Sequence, residues 1–216
     1  MIISRKFKFV ALKLTGLIFL FFILQLAAPF LTELLLLSPA VWKGQYWRFF
    51  TSIFLHGDIV HLLYNSFALA FFGSILERIS GHKNFLAIFF ITGILANVFS
   101  VIFYPASLGA SGAIFGVIGA LVVMRPLLPI WAFGLPMPLF VAGIVWAVGD
   151  VVGTYGFLTA NPIDSTGNIA HLSGMFFGLL LGLLLKPKKR LLRKSHDNGW
   201  IEEKSMRRWE HSHFGV

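Results

Sequence analysis

Gly109-Ala110-Ser111-Gly112-Ala113-Ile114-Phe115-Gly116 places one serine among small residues, at the head of an apolar run that ends at Met124, before Arg125-Pro126. Small neighbours let backbone and partner helices approach closely. Taken alone, the stretch reads as a tightly packed helix start. In a membrane its length says more. Ser111 to Met124 spans about 21 Å as a helix, against a hydrocarbon core of about 30 Å. With Arg125 at one membrane face, Ser111 lies inside the bilayer, and the Tyr104–Ala110 loop has to dip in to reach it. Irregular backbone at that depth is tolerated only against protein or a water-filled cavity. The serine is therefore expected in a protein-lined, wet depression.

Composition supplies the membrane. The chain has 216 residues, 57% hydrophobic and only 12% charged, with mean hydropathy +0.81. Soluble domains carry about 25% charged residues. Apolar stretches recur along most of the chain, so a polytopic protein is expected rather than a soluble domain with an anchor. The absence of cysteine excludes disulfides, thiolate chemistry and zinc–thiolate sites. The net charge of +9 could point to nucleic acid, but lysines and arginines cluster at the two ends. That placement reads as membrane orientation and attraction to anionic lipid, so no nucleic-acid partner is expected.

Six spans account for the chain: about Leu14–Leu37, Ile59–Leu76, Asn84–Phe103, Ser111–Met124, Pro138–Leu158 and Ile169–Leu185. The fold expected is all-α, a polytopic six-helix bundle over 14–185, with basic tails at 1–13 and 186–216. The first span reads as a retained helix, since no clear small-x-small cleavage site follows it. The aromatic connector 38–55, with Trp42, Tyr46 and Trp47, fits the headgroup level. In this arrangement sixteen of the eighteen Lys and Arg fall on the side of both termini, which places both termini in the cytoplasm.

The same length ruler finds other polar residues at the depth of Ser111. His171 lies about 22 Å above the cytoplasmic face and Asn65 about 20 Å, with His61 one turn farther out. Polar and ionisable groups at such depth are costly and usually functional. Gly112, Gly116 and Gly119 form a stripe on the fourth span, and Gly174, Gly178 and Gly182 one on the sixth. His171 shares a face with Gly174 and Gly178. Two such stripes can form a tight helix contact, although transporters use glycine stripes without catalysis.

The chemistry this pattern suits is acyl transfer. A serine hydroxyl needs a base to accept its proton, and a neutral imidazole such as His171 can do so and later protonate the leaving amine. The tetrahedral oxyanion needs donors, which Asn65, His61 and the Ser111 backbone N–H can supply. No acid is well placed to orient His171. Asp150 comes nearest, about 18 Å above the cytoplasmic face, and is expected to make a structural hydrogen bond, so a Ser–His dyad is preferred to a triad. A zinc site from His56, His61 and His171 is the competing reading. It lacks H-E-x-x-H and leaves the serine unexplained, so no metal or other cofactor is expected. The soluble G-x-S-x-G elbow does not apply, because the second glycine is missing and no strand precedes the helix.

With these residues in hand, residues 42–182 resemble the rhomboid intramembrane serine proteases. Trp47-Arg48 resembles the family's first-loop motif. His56, His61 and Asn65, in HGDIVHLLYN, resemble its H-x-x-x-x-H-x-x-x-N. Glu77-Arg78 resembles the acidic-basic end of that helix. Gly109-Ala110-Ser111-Gly112 is similar to its G-x-S-G, and Ala170-His171-Leu172-Ser173-Gly174 with Gly178 to its A-H-x-x-G-x-x-x-G. The resemblance implies cleavage of single-pass membrane proteins in or near their transmembrane segments. It implies Ser111 as nucleophile, His171 as base, and His61 and Asn65 in the oxyanion hole with Ser111. Trp47, Arg48, Glu77, Gly112, Gly116, Gly174 and Gly178 would then be structural or packing residues. The fifth helix and the loop 158–167 would be gate and cap. The partners implied are transmembrane substrates and the lipid bilayer, with no oligomeric state implied, and a prokaryotic plasma membrane is the expected location. The alternative is a non-enzymatic membrane protein, such as a transporter or client-binding factor, but no internal repeat supports a transporter.

Overall fold

A computed structural model describes residues 8–161 and 167–186. Among these, five helices are long and apolar enough to cross a membrane: α1 (Val10–Ala27), α2 (Ile59–Ser80), α3 (His82–Phe103), α5 (Leu139–Leu158) and α6 (Asn168–Leu185). A sixth, α4 (Ser111–Met124), is shorter. The chain is thus an all-α, polytopic membrane bundle. Two short strands, β1 (Pro129–Ala132) and β2 (Leu135–Pro138), pair antiparallel between α4 and α5. The expected bounds of α3 through α6 hold to within two residues. Residues 1–7, 162–166 and 187–216, which carry much of both expected tails and part of the expected cap, lie outside the described residues.

The first span needs correction. It was expected to run from Leu14 to Leu37, but α1 covers Val10–Ala27 and a separate short helix follows at Phe30–Leu35. Ala28 leaves helical geometry at φ −141° and ψ 81°, because the residue before a proline is pushed out of the α region. Hydropathy runs on through this break and does not mark it. The connector after it is also more ordered than a plain loop. It contains a 3₁₀ turn (Pro39–Lys43), one helical turn (Arg48–Thr51) and a second 3₁₀ turn (Ser52–Phe54).

Two charged side chains hold helix ends in place. Buried Arg48 donates from Nη1 to the carbonyls of Glu33 (2.8 Å) and Leu36 (2.7 Å), and from Nε to Gln45 Oε1 (2.6 Å). It thereby satisfies carbonyls that the short helix leaves open at its C-terminal end. Glu77, near the end of α2, accepts the backbone N–H of Lys8 (3.2 Å) and of Ala11 (3.1 Å). A carboxylate at the head of α1 satisfies its free donors and meets the positive end of its dipole. Trp47 donates its indole N–H to the Leu34 carbonyl at 3.3 Å. The connector is therefore fastened to the rest of its own loop as well as to the bundle.

The bundle is built around α4. Ten of its 14 residues are buried, on all sides of the helix. A helix that is apolar all round belongs in the middle of its fold. α3 and α6 pack along it, with α2 and α5 beyond. Lipid does not drive helices together as water does, so close packing has to supply the attraction. The glycines provide it. A Cβ on Gly174 would fall on the carbonyl of Gly112, and one on Gly178 on the carbonyl of Gly116. Gly119 lies against the Met175 carbonyl in the same way, and Gly116 also lies against Thr92 of α3. At these positions any side chain would push the helices apart. The outer faces, such as Leu20, Ile23 and Leu26 on α1 and Leu183 and Leu184 on α6, are exposed apolar surface, as a lipid-facing wall requires.

Candidate active site

The approach to Ser111 is tied down on three sides. Leu37 and Ser107 exchange both backbone hydrogen bonds, at 2.9 and 3.0 Å. Gly109 donates its N–H to the Ser52 carbonyl at 2.9 Å. Asn97 of α3 fixes that neighbour in turn, donating to the Phe49 carbonyl (2.8 Å) and Ser52 Oγ (2.9 Å). Gly109 has φ +126°, a backbone that side-chain-bearing residues rarely adopt. This sharp turn ends at Ser111, the first residue of α4. The first bond into the helix runs from Ile114 N–H to Ala110 O. The N–H groups of Ser111, Gly112 and Ala113 come before it and open toward the helix mouth, where the helix dipole favours negative charge.

His171 stands against the same face of α4. Its ring stacks on Phe115 with centroids 4.3 Å apart and planes 4° from parallel. Phe115 is four residues after Ser111 and so lies one turn below it on one face. The facing glycines hold α6 close enough for this contact, with the Ala170 carbonyl 3.5 Å from where a Cβ on Gly112 would be. The edge of the ring is held as well: His171 Nδ1 is 2.9 Å from Asp150 Oδ1 of α5. Both side chains are about a tenth exposed, at 13% and 9%. The expectation that no acid is placed to orient His171 is thus corrected. A length ruler along two separate helices has an error as large as the 4 Å difference in depth it gave for these residues, so it could not exclude the contact.

His61 approaches from the third side. Its Cε1 and Nε2 lie 2.8 Å from where a Cβ on Gly109 would sit, so the ring lies against the turn into Ser111 and only a glycine fits there. Asp58 caps α2 by accepting His61 N–H at 2.8 Å. Asn65 is buried, with its amide donating to the His61 carbonyl at 3.1 Å. Beyond them His56 is buried edge-on to His61, with centroids 4.9 Å apart. Gln25 of α1 clamps the His56 backbone, donating to its carbonyl (3.2 Å) and accepting its N–H (3.0 Å). Burial first, and the neighbouring His61 second, push the His56 imidazole down from 6.5 to about 4, so it is neutral at neutral pH. Among the described residues no three His, Asp or Glu side chains converge in a metal-binding cluster.

Ser111, His171 and His61 therefore border one end of α4, from three different helices, and Asn65 lies one turn along α2 from His61. Trp47 and Arg48 fasten the lateral connector, and Glu77 lies toward the opposite end of α2. Two residues at the site were not singled out from sequence as partners of His171. The i+4 spacing of Phe115 to Ser111 marks the face of α4 on which it lies, whereas the depth of Asp150 carries no sign of which way its helix turns it.

Comparison with known proteins gives a consistent result. A family model for the rhomboid domain matches residues 43–188. Rhomboid protease GluP of Bacillus subtilis is 39% identical over 158 residues, covering 69% of this chain and 29% of that protein. RHOMBOID-like protein 7 of Arabidopsis thaliana is 33% identical, covering 67% and 44%. The mitochondrial rhomboid protein 1 of Saccharomyces cerevisiae is 32% identical, covering 69% and 46%. The chain spans less than half the length of each of these relatives.

Proposed function

The chain belongs to the rhomboid family, and from that membership we propose that it is a serine endopeptidase hydrolysing peptide bonds in or near the transmembrane segments of single-pass membrane proteins. Ser111 is the nucleophile and His171 the base. The observation that carries this reading is the stack of His171 on Phe115, one turn along the face that begins with Ser111. The stack supports this reading by bringing the His171 ring to the face of α4 that begins with Ser111.

In this reading, Ser111 Oγ attacks the scissile carbonyl carbon and its proton passes to His171 Nε2, because Nδ1 faces Asp150. The oxyanion is met by the Ser111 backbone N–H at the helix mouth, with His61 and Asn65 donating from α2. Collapse breaks the C–N bond, and the proton on Nε2 goes to the leaving amine. Water then enters by the reverse proton route and releases the acyl group. Burial of the site within the helices suits a substrate that arrives through the membrane. A prokaryotic plasma membrane with both termini cytoplasmic is supported by the charge distribution and by the identity with the Bacillus subtilis relative.

The test is cleavage of a single-pass substrate co-reconstituted in liposomes. Ser111→Ala and His171→Ala are each expected to lose at least about 1,000-fold in rate with unchanged melting temperature. Cleavage at the normal rate by either variant would refute the assignment and favour a non-enzymatic role.

A further inference from the structure

Asp150 is an acid inside a membrane helix, with a side chain that is 9% exposed. Such a group is costly and calls for a partner. It has one: Oδ1 lies 2.9 Å from His171 Nδ1, while Oδ2 has no hydrogen-bond partner among the described residues. The local packing gives the carboxylate little room to leave. One turn along, Gly153 admits the amide of Asn168, the first residue of α6, and this brings α5 close to α6 beside His171. The imidazole is therefore held twice, on its face by Phe115 and at its edge by Asp150.

The two ring nitrogens are then unequal. A carboxylate only accepts, so it requires the proton on Nδ1 and leaves the Nε2 lone pair open. That is the tautomer a base acting on Ser111 needs. We propose that Asp150 is a positioning residue that makes the Ser111–His171 pair a triad, fixing the Nδ1–H tautomer and stabilising the imidazolium formed when Ser111 is deprotonated. This inference rests on the Ser111–His171 reading. The balance is simple: Nε2 takes the serine proton as the O–C bond forms and yields it to the amine as the C–N bond breaks. Asp150 exchanges no proton and keeps its charge throughout.

The test compares wild type, Asp150→Asn, Asp150→Glu and Ser111→Ala in the reconstituted cleavage assay. Asp150→Asn is nearly isosteric but can donate to Nδ1, which favours the wrong tautomer. Its kcat is expected to fall about 100-fold or more, with KM within about threefold. Asp150→Glu is expected to recover part of that loss, because the carboxylate is retained. A kcat for Asp150→Asn within about threefold of wild type, or a loss confined to KM, would overturn the proposal. Should Asp150→Asn fail to fold, ¹⁵N-histidine NMR of the wild-type protein decides. The His171 signals are expected to show a protonated Nδ1 and an unprotonated Nε2, and the opposite tautomer would overturn the proposal. Activity in Ser111→Ala would instead sink the underlying dyad, whereas an inactive Ser111→Ala beside a fully active Asp150→Asn would remove only the triad.

Discussion

At the scale of single residues, His56 shows how burial is converted into pH dependence. Its imidazole titrates near 4 in the folded protein against 6.5 when free. The unfolded chain therefore binds the extra proton first as pH falls. The neutral ring's contribution is fully present above about pH 6.5 and is lost as pH drops toward 4, a range worth up to about 3 kcal/mol. Melting in detergent from pH 7.5 to 4 is expected to show this fall in wild type, and a smaller one in His56→Gln. Phe115 acts through shape alone. Removing its ring in Phe115→Ala frees one face of His171 and is expected to lower kcat about tenfold, while Phe115→Tyr keeps most activity. Ser111, His171, His61 and Asn65 were legible as candidates because polar side chains stand out against apolar helices at one depth. The Asp150 contact and the Phe115 stack were not. Those depend on how far three helices are rotated about their own axes, which a depth ruler does not measure.

At the scale of elements, the contact of α4 with α6 governs the position of His171. Gly178 lies so close to the Gly116 carbonyl that a methyl group has nowhere to go, since the obstacle is backbone. Gly178→Ala is expected to cost about 1–3 kcal/mol and to lower cleavage as His171 moves away from Ser111. Gly149→Ala, where a Cβ meets nothing within 4 Å, is the control and is expected to leave the melting temperature unchanged. The bounds of α4 were legible because Pro105 and Gly109 precede it and Arg125-Pro126 follows. The end of α1 was not, because Ala28-Pro29 interrupts an otherwise unbroken apolar run. The β1–β2 hairpin escaped for a related reason. Its two-residue turn, Phe133-Gly134, takes positive φ at both positions, 54° and 77°. Turns of this form usually announce themselves with Asn or Asp, and phenylalanine gives no such signal. A tilted ring contact with Trp146, centroids 5.7 Å apart, accompanies its unusual backbone.

At the scale of the molecule, a short buried helix surrounded by longer ones carries Ser111 at its head, and the proposed reading makes that hydroxyl the nucleophile. The bundle around it keeps lipid outside and closes polar groups inside. The charge distribution gives an expected orientation, and the lack of cysteine makes it simple to measure. Single cysteines at Ser4→Cys and Ser195→Cys are expected to label only from the cytoplasmic side, and Lys43→Cys only from the opposite side. Labelling of the two termini from opposite faces would overturn the six-span arrangement. The central claim concerns Ser111 itself, and its most direct test is covalent. Treat the folded protein with a fluorophosphonate and map the adduct by mass spectrometry. A single adduct on Ser111, absent from His171→Ala, is the predicted result. No adduct on well-folded, cleavage-competent protein, or an adduct on another serine, would contradict it.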